Sequence, residues 1–293
     1  RLGRAIYLGR SPAAHFAKNE HHCLVLGPPR CGKSSAVLIP SIAVHPGPVI
    51  ATSMRDDLLR ATAASREDLA GETGRVVELA FGDQPSSLVP NARWSTTDGC
   101  ESWNVAVDRA QSMVAVAVSE GTDAEYFRGE CAAFLASCLH ATALMGEDDR
   151  FMASIVARAQ LEYFRDYLTD CYGETDHHPS ISGLDSFISD QVMADDTRRS
   201  VIAILNSSVH RQFKFDPVDA GSYLSISEFV RGSGAVYLIA PDNRKEALKP
   251  LISAFIEAVV AEWRVAHKAN ETAGTLLLAL DEVAQVAPVA TMP

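Results

Sequence analysis

Two stretches of the chain hold residue types whose spacing could do chemistry. The first is Gly27-Pro28-Pro29-Arg30-Cys31-Gly32-Lys33-Ser34, a GxxxxGKS pattern set between the apolar run Cys23-Leu24-Val25-Leu26 and a helical pattern. A loop in that position turns its backbone N–H groups toward phosphate oxygens, and the helix behind it adds the positive end of its dipole. Gly27 and Gly32 permit backbone geometry that a Cβ would block. Lys33 would neutralise the β and γ phosphates of ATP and the Ser34 hydroxyl would ligate Mg²⁺, so the nucleotide-binding candidates run from Gly27 through Pro28, Pro29, Arg30, Cys31, Gly32, Lys33 and Ser34 to Ser35. The second stretch is the apolar run Leu276 to Leu280 followed by Asp281 and Glu282. Asp281 at a strand end would hold the Mg²⁺ shell from the opposite side, and Glu282 would polarise the attacking water.

These groups need elements to place them. Apolar runs closed by glycine or polar residues alternate with long helical patterns, the mark of strands feeding crossover helices. Strands are expected at His22–Leu26, Pro48–Thr52, Arg75–Phe81, Ala235–Ala240 and Thr275–Leu280, with helices at Lys33–Val44, Arg55–Ser65 and Lys245–His267. Val49-Ile50-Ala51 and Leu276 to Leu280 do not alternate apolar with polar, which suits parallel strands buried on both faces. Between about Glu101 and Phe213 the strand-like runs stop. Helices are expected there to include Val105–Val118, Ala124–Met145, Ala153–Leu168 and Thr197–Phe213, with Gly173–Ser182 as a loop.

Lys33 and Asp281 lie 248 residues apart, more than two compact βαβ units require, and a helical insert accounts for the excess. The expected fold is therefore α/β, a RecA-like P-loop NTPase domain with a mostly parallel sheet, plus an inserted all-α domain. Its segments would be 1–100 and 216–293 for the nucleotide-binding domain and 101–215 for the insert.

The 293 residues are 47% apolar and 22% charged, enough for one large or two ordinary packed domains, which excludes disorder, collagen and a disulfide-knot scaffold. The net charge of −11 repels nucleic acid and anionic membranes, so any DNA contact needs a local basic lining. No run of eighteen apolar residues and no basic-plus-apolar leader is present, so this stretch is expected to be soluble. Both ends read as cuts inside a longer polypeptide.

Several stretches together resemble the type IV secretion coupling proteins, the conjugative DNA-transfer ATPases of the TraG and TraD kind, and in particular their actinobacterial branch. They are Tyr7-Leu8-Gly9-Arg10, Val25 through Ser34 with Ile39-Pro40, Val49 through Ser53 with Arg55, Asp57 and Leu58, Arg93-Trp94 ahead of Gly99-Cys100-Glu101, Tyr126-Phe127-Arg128 with His140 to Leu144, Gly234 to Pro241, and Leu280 to Ala284 through Pro288. Thr96 stands where a proline often follows the Arg-Trp pair, Tyr126-Phe127 replaces a Phe-Trp, and Ser53 and Arg55 replace an Asp and a Lys. The resemblance implies a membrane-anchored homo-hexameric ATPase at the cytoplasmic face of the bacterial inner membrane. Its all-α domain would receive a DNA-processing relaxase complex or secreted proteins, beside other type IV secretion subunits and DNA. It also implies membrane helices before Arg1 and a sensor strand and trans-acting arginine after Pro293, so this fragment is expected to hydrolyse ATP weakly and to be monomeric. Two rival readings are a double-stranded DNA pump of the FtsK and HerA kind and a nucleotide-binding docking receptor with little turnover.

Other residues carry plainer readings beside functional ones. Cys31 could sit near the phosphates, so that alkylation blocks nucleotide, or merely fit; Arg30 could contact phosphate or face solvent. His21-His22 and His177-His178 lack partners at zinc-ligand spacing and read as loop or strand histidines rather than metal ligands. Trp94 and Trp103 read as packing anchors, with base stacking as the alternative. Thr197-Arg198-Arg199 with His210, Arg211 and Lys214 is the most basic part of an otherwise acidic insert, and the acidic remainder suits docking of a basic partner protein.

Overall fold

The computed structural model describes residues 5–10, 12–18, 22–28, 31–72, 74–79, 87–118, 123–173, 178–189, 193–211 and 221–286. In chain order the elements begin with β1 (Ala5–Arg10), β2 (Ala14–Lys18), a π-helical turn (Ser34–Leu38) running into α1 (Ile39–Val44), β3 (Val49–Ser53), α2 (Asp57–Ala70), β4 (Val76–Leu79) and β5 (Asn91–Arg93). Six helices follow: α3 (Trp103–Ala117), α4 (Ala124–Met145), α5 (Asp149–Ala157), α6 (Glu162–Tyr172), α7 (Pro179–Ile188) and α8 (Asp195–Ile204), the last continued by a π-helical turn (Leu205–Val209). The chain then forms β6 (Ser222–Tyr223), α9 (Ile226–Arg231), β7 (Ala235–Ile239), α10 (Lys245–Lys268), β8 (Leu277–Leu280) and the single turn α11 (Val283–Val286). The fold is α/β, and the elements among the described residues between β5 and β6 are all helical.

The chain divides into two compact units. One comprises Arg1–Arg93, Val218–Lys245 and Ala258–Ala287, and the other Trp94–Pro217, Glu246–Glu257 and Pro288–Pro293. The first holds a six-stranded, all-parallel sheet in the order β6-β5-β4-β7-β3-β8. Parallel strands need crossover helices on their faces, and β3, with every residue buried, is apolar from Val49 to Ala51 for that reason, its polar end Thr52-Ser53 being hydrogen-bonded. Its core joins Ile42 of α1, Leu58 and Leu59 of α2, Val49 and Ala51 of β3, and Tyr237 of β7. At the start of β7 only glycine fits, because a Cβ on Gly234 would stand 2.2 Å from the Arg75 carbonyl oxygen.

The fully buried Arg66 on α2 ties the amino ends of these strands together. Its guanidinium donates to the carbonyls of Gly47 at 2.9 Å, Gly234 at 3.1 Å and Ile42 at 3.4 Å, and to those of His45 and Ser233. Burial without a carboxylate partner lowers its pKa.

Some expected elements differ. His22–Leu26 is not a strand: the segment has no ladder partner among the described residues, and β8 stands at the edge of the sheet. Leu24 and Leu26 are accordingly 76% and 83% exposed. The helix expected over Ala153–Leu168 is two helices. Ala159 takes a left-handed φ of 53°, Ala159 N–H bonds to the Val156 carbonyl and Gln160 N–H to the Ile155 carbonyl. That is a Schellman stop in which alanine does the work usually given to glycine. Gly173–Ser182 is not all loop either, since Pro179 opens α7 and the His178 ring accepts from the Ser180 N–H at 3.3 Å as its cap. Lys33–Val44 and Thr197–Phe213 each contain a π-helical turn, and Phe213 lies outside the described residues.

Candidate functional site

The two motifs meet at the carboxyl ends of β3 and β8, where open parallel sheets bind ligands. The register pairs Thr52 with Leu280, and the ladder continues as the Asp281 N–H donates to the Thr52 carbonyl at 3.2 Å. Thr52 Oγ1 adds a bond of 3.4 Å to the Asp281 carbonyl oxygen. Asp281 is thereby held by main chain, and its carboxylate faces the glycine-rich loop: Ser34 Oγ donates to Asp281 Oδ2 at 2.8 Å. The other oxygen, Oδ1, accepts from the Glu282 N–H at 3.1 Å. Glu282 is exposed, with a left-handed φ of 50° that costs a non-glycine residue about 1 kcal/mol and turns the chain sharply after Asp281.

In the loop, Gly32 has a φ of 87°, which favours glycine, and its carbonyl accepts from the Ala36 N–H at 2.8 Å and from Ser35 Oγ at 3.1 Å. Lys33 Nζ folds back onto the loop and donates to the Gly27 and Pro28 carbonyls at 2.9 and 3.0 Å. Those two neutral acceptors leave the ammonium charge uncompensated, so an anionic oxygen would displace them. Cys31 is exposed, and its Sγ would be 2.7 Å from a Cβ placed on Gly27, so the thiol lies over the first glycine of the loop. Pro29 and Arg30 lie outside the described residues.

Lys33, Ser34, Asp281 and Glu282 thus belong to one compact unit. The Ser34 hydroxyl and Asp281 carboxylate are hard oxygen donors already at contact distance, the donor type that Mg²⁺ takes. Thr52 has no motif of its own, and only the pairing of β3 with β8 brings it beside Asp281. Ser53, next to it, donates to Asp57 Oδ1 at 3.2 Å and tightens the turn into α2.

The remaining candidates lie elsewhere. Among the described residues no group of histidine, cysteine and carboxylate side chains is arranged to hold a metal. His22 is exposed, His21 and His177 lie outside the described residues, and His178 stacks on Tyr172 at 4.0 Å while capping α7. Trp94 is buried edge-on against Phe255 at 5.3 Å, under the Arg109 guanidinium, and Trp103 packs edge-on against His140 and His178. Arg198 and Arg199 both pair with Asp195 on α8. Lys214 lies outside the described residues, and His210 is buried, which lowers its pKa to about 4.

The family described as Type IV secretory system Conjugative DNA transfer matches residues 4–289, nearly the whole chain. The chain belongs to that family. The fold agrees: plasmid coupling protein TrwB in complex with the non-hydrolysable ATP analogue ADPNP superposes with a TM-score of 0.50 at 17% identity, over 84% of this chain and 59% of that one. TrwB in complex with ADP and Mg²⁺ gives a TM-score of 0.45 at 15% identity, over 82% of this chain and 65% of that one. The chain thus spans less than two thirds of these coupling proteins. No curated protein sequence matches it significantly. No helix among the described residues is long and apolar enough to cross a membrane.

Proposed function

We propose that this chain is the nucleotide-hydrolysing part of a type IV conjugation or secretion motor, using ATP to drive recruitment and translocation of DNA or protein substrates at the bacterial inner membrane. The observation that carries the reading is the 2.8 Å bond from Ser34 to Asp281, which joins two motifs 247 residues apart in the sequence. A chance glycine loop and a chance acid pair have no reason to meet at the ends of adjacent parallel strands.

In this reading Lys33 leaves the Gly27 and Pro28 carbonyls and binds the β and γ phosphates, while loop N–H groups from Gly27 to Ser35 surround them. Ser34 and Asp281 would hold Mg²⁺, which supplies charge neutralisation on the phosphate oxygens. Glu282, exposed beside Asp281, takes the proton of the attacking water. Thr52 keeps the Asp281 main chain fixed while nucleotide comes and goes. In the assembled machine the protein acts as a homo-hexamer beside other type IV secretion subunits, and its helical unit receives the relaxase complex or secreted proteins.

Steady-state MgATP hydrolysis with and without single-stranded DNA tests the motor. Glu282→Gln should lose about 100-fold or more in turnover while still binding nucleotide. Equal turnover in the variant would remove Glu282 from the chemistry, and tight binding with no turnover under any condition would favour the docking receptor.

A further inference from the structure

The helical unit carries a charge imbalance and a groove that the nucleotide site does not use. Residues 94–217 hold 9 Lys and Arg against 20 Asp and Glu, which is the chain's whole net charge of −11; the remaining residues balance at 17 against 17. Within this unit α3, α4 and the start of α7 border an open groove of about 560 Å³, in the size range of binding sites. Gly129, Ala133 and Ala136 lie on one face of α4 and form its floor, with Val107 and Val114 of α3 as a wall. Gly183 brings α7 close, since a Cβ there would stand 2.7 Å from Ser137 Oγ on α4. Trp103 and Arg128 also line the groove, and Arg128 Nη2 donates to the Val118 carbonyl at 2.9 Å, so its charge is partly taken up by the end of α3.

The floor from Gly129 to Ala136 is about 10 Å long at 1.5 Å per residue, two helical turns. Small side chains at helical spacing let the ridges of another helix settle close to α4. The unit has no strand among its described residues, so an extended peptide would find no ladder to join. Two exposed carboxylates flank the groove by helix geometry: Asp108, one turn before Gln111 on α3, and Glu125, one turn before Gly129 on α4. A second copy of this acidic unit, an anionic lipid surface and DNA would all meet the unit's net negative charge, and Arg128, the charged residue of the lining, is already engaged by the Val118 carbonyl.

We propose that the groove takes an amphipathic helix of a basic partner protein, its bulky apolar side chains on the Gly129–Ala136 floor and its Lys or Arg side chains beside Asp108 and Glu125. This rests on the reading that the helical unit recruits substrates, and names the chemistry of the segment recruited.

The test is a fluorescence-anisotropy titration of the full chain, without nucleotide, using a synthetic helix with leucines at i, i+3, i+4 and i+7 flanked by lysines. Two controls are a scrambled peptide of equal composition and a version with glutamate for lysine. The patterned basic peptide should bind about tenfold tighter than either control, and Ala133→Trp should weaken it about tenfold with the circular dichroism spectrum retained. The surface double variant Asp108→Lys with Glu125→Lys should weaken it similarly and flatten its salt dependence. Equal binding of the scrambled or the acidic peptide would overturn the proposal, as would unchanged affinity in folded Ala133→Trp or in the double variant. A parallel nucleotide titration of the same preparation reads the other site, so failure of one reading is told apart from failure of the other.

Discussion

Replacing Asp149 by asparagine should stabilise the helical unit at neutral pH and remove a pH dependence between about 4 and 6. Asp149 opens α5 with its side chain buried, and burial pushes the carboxyl up from 3.8 to about 6. The bonds its Oδ2 accepts from Thr96, at 3.1 Å from the N–H and 3.4 Å from Oγ1, pull the other way and lose. A folded carboxyl with a raised pKa holds its proton where the unfolded one has released it. The stability this confers is full below about pH 4 and is lost as the pH rises through about 6. At 1.36 kcal/mol per unit, the span from 3.8 to about 6 sets a ceiling of about 3 kcal/mol. Asparagine keeps an oxygen for the Thr96 N–H and has no charge to bury, so the variant should gain about 1–3 kcal/mol at pH 7 and little at pH 4. Urea unfolding of both proteins across pH 4–8 measures this, followed by Trp94 and Trp103 fluorescence in a Trp263→Phe background, since Trp263 belongs to the sheet unit. A difference between the two proteins that is flat in pH would refute the reasoning, as would a less stable Asn variant at pH 8.

Two further outcomes follow from the sheet unit. The Ser34 to Asp281 contact is charge-assisted but only half-buried, so a double-mutant cycle of Ser34→Ala and Asp281→Asn in chelator should give a stability coupling of about 1 kcal/mol. A coupling near zero would mean the pair is not formed in the ligand-free protein. Arg66→Leu leaves the carbonyls of Ile42, His45, Gly47 and Ser233 without their guanidinium donor, while Gly234 still accepts from the Val49 N–H, and should cost about 4 kcal/mol or more in thermal or urea unfolding. A loss under about 1 kcal/mol would show the staple to be dispensable.

The glycine loop, the acid pair and the parallel strands were legible because each is written in local residue chemistry. Val49-Ile50-Ala51 reads as a strand buried on both faces and is one, and Ala124–Met145 ends where Gly146 takes a left-handed φ of 72°. What was hidden depends on partners distant in sequence. Cys23 to Leu26 has a strand's composition but pairs with no strand among the described residues, and β8 stands at the edge of the sheet. Ala159 stops a helix without a glycine to announce it, and His178 caps one without being a usual capping residue. The three-residue β5 and the two-residue β6 are too short to leave a period in the sequence.

The central claim is that Lys33, Ser34 and Asp281 form one nucleotide site. Titration of the purified chain with a fluorescent ATP analogue, with and without Mg²⁺, addresses it most directly. Wild-type protein should bind in the micromolar to millimolar range typical of enzyme substrates, about tenfold or more tighter with Mg²⁺ than without it. Lys33→Ala should abolish binding, and Asp281→Asn should remove the Mg²⁺ effect while leaving metal-free binding in place. Binding that is indifferent to Lys33, or a Mg²⁺ effect that survives in Asp281→Asn, would contradict the account.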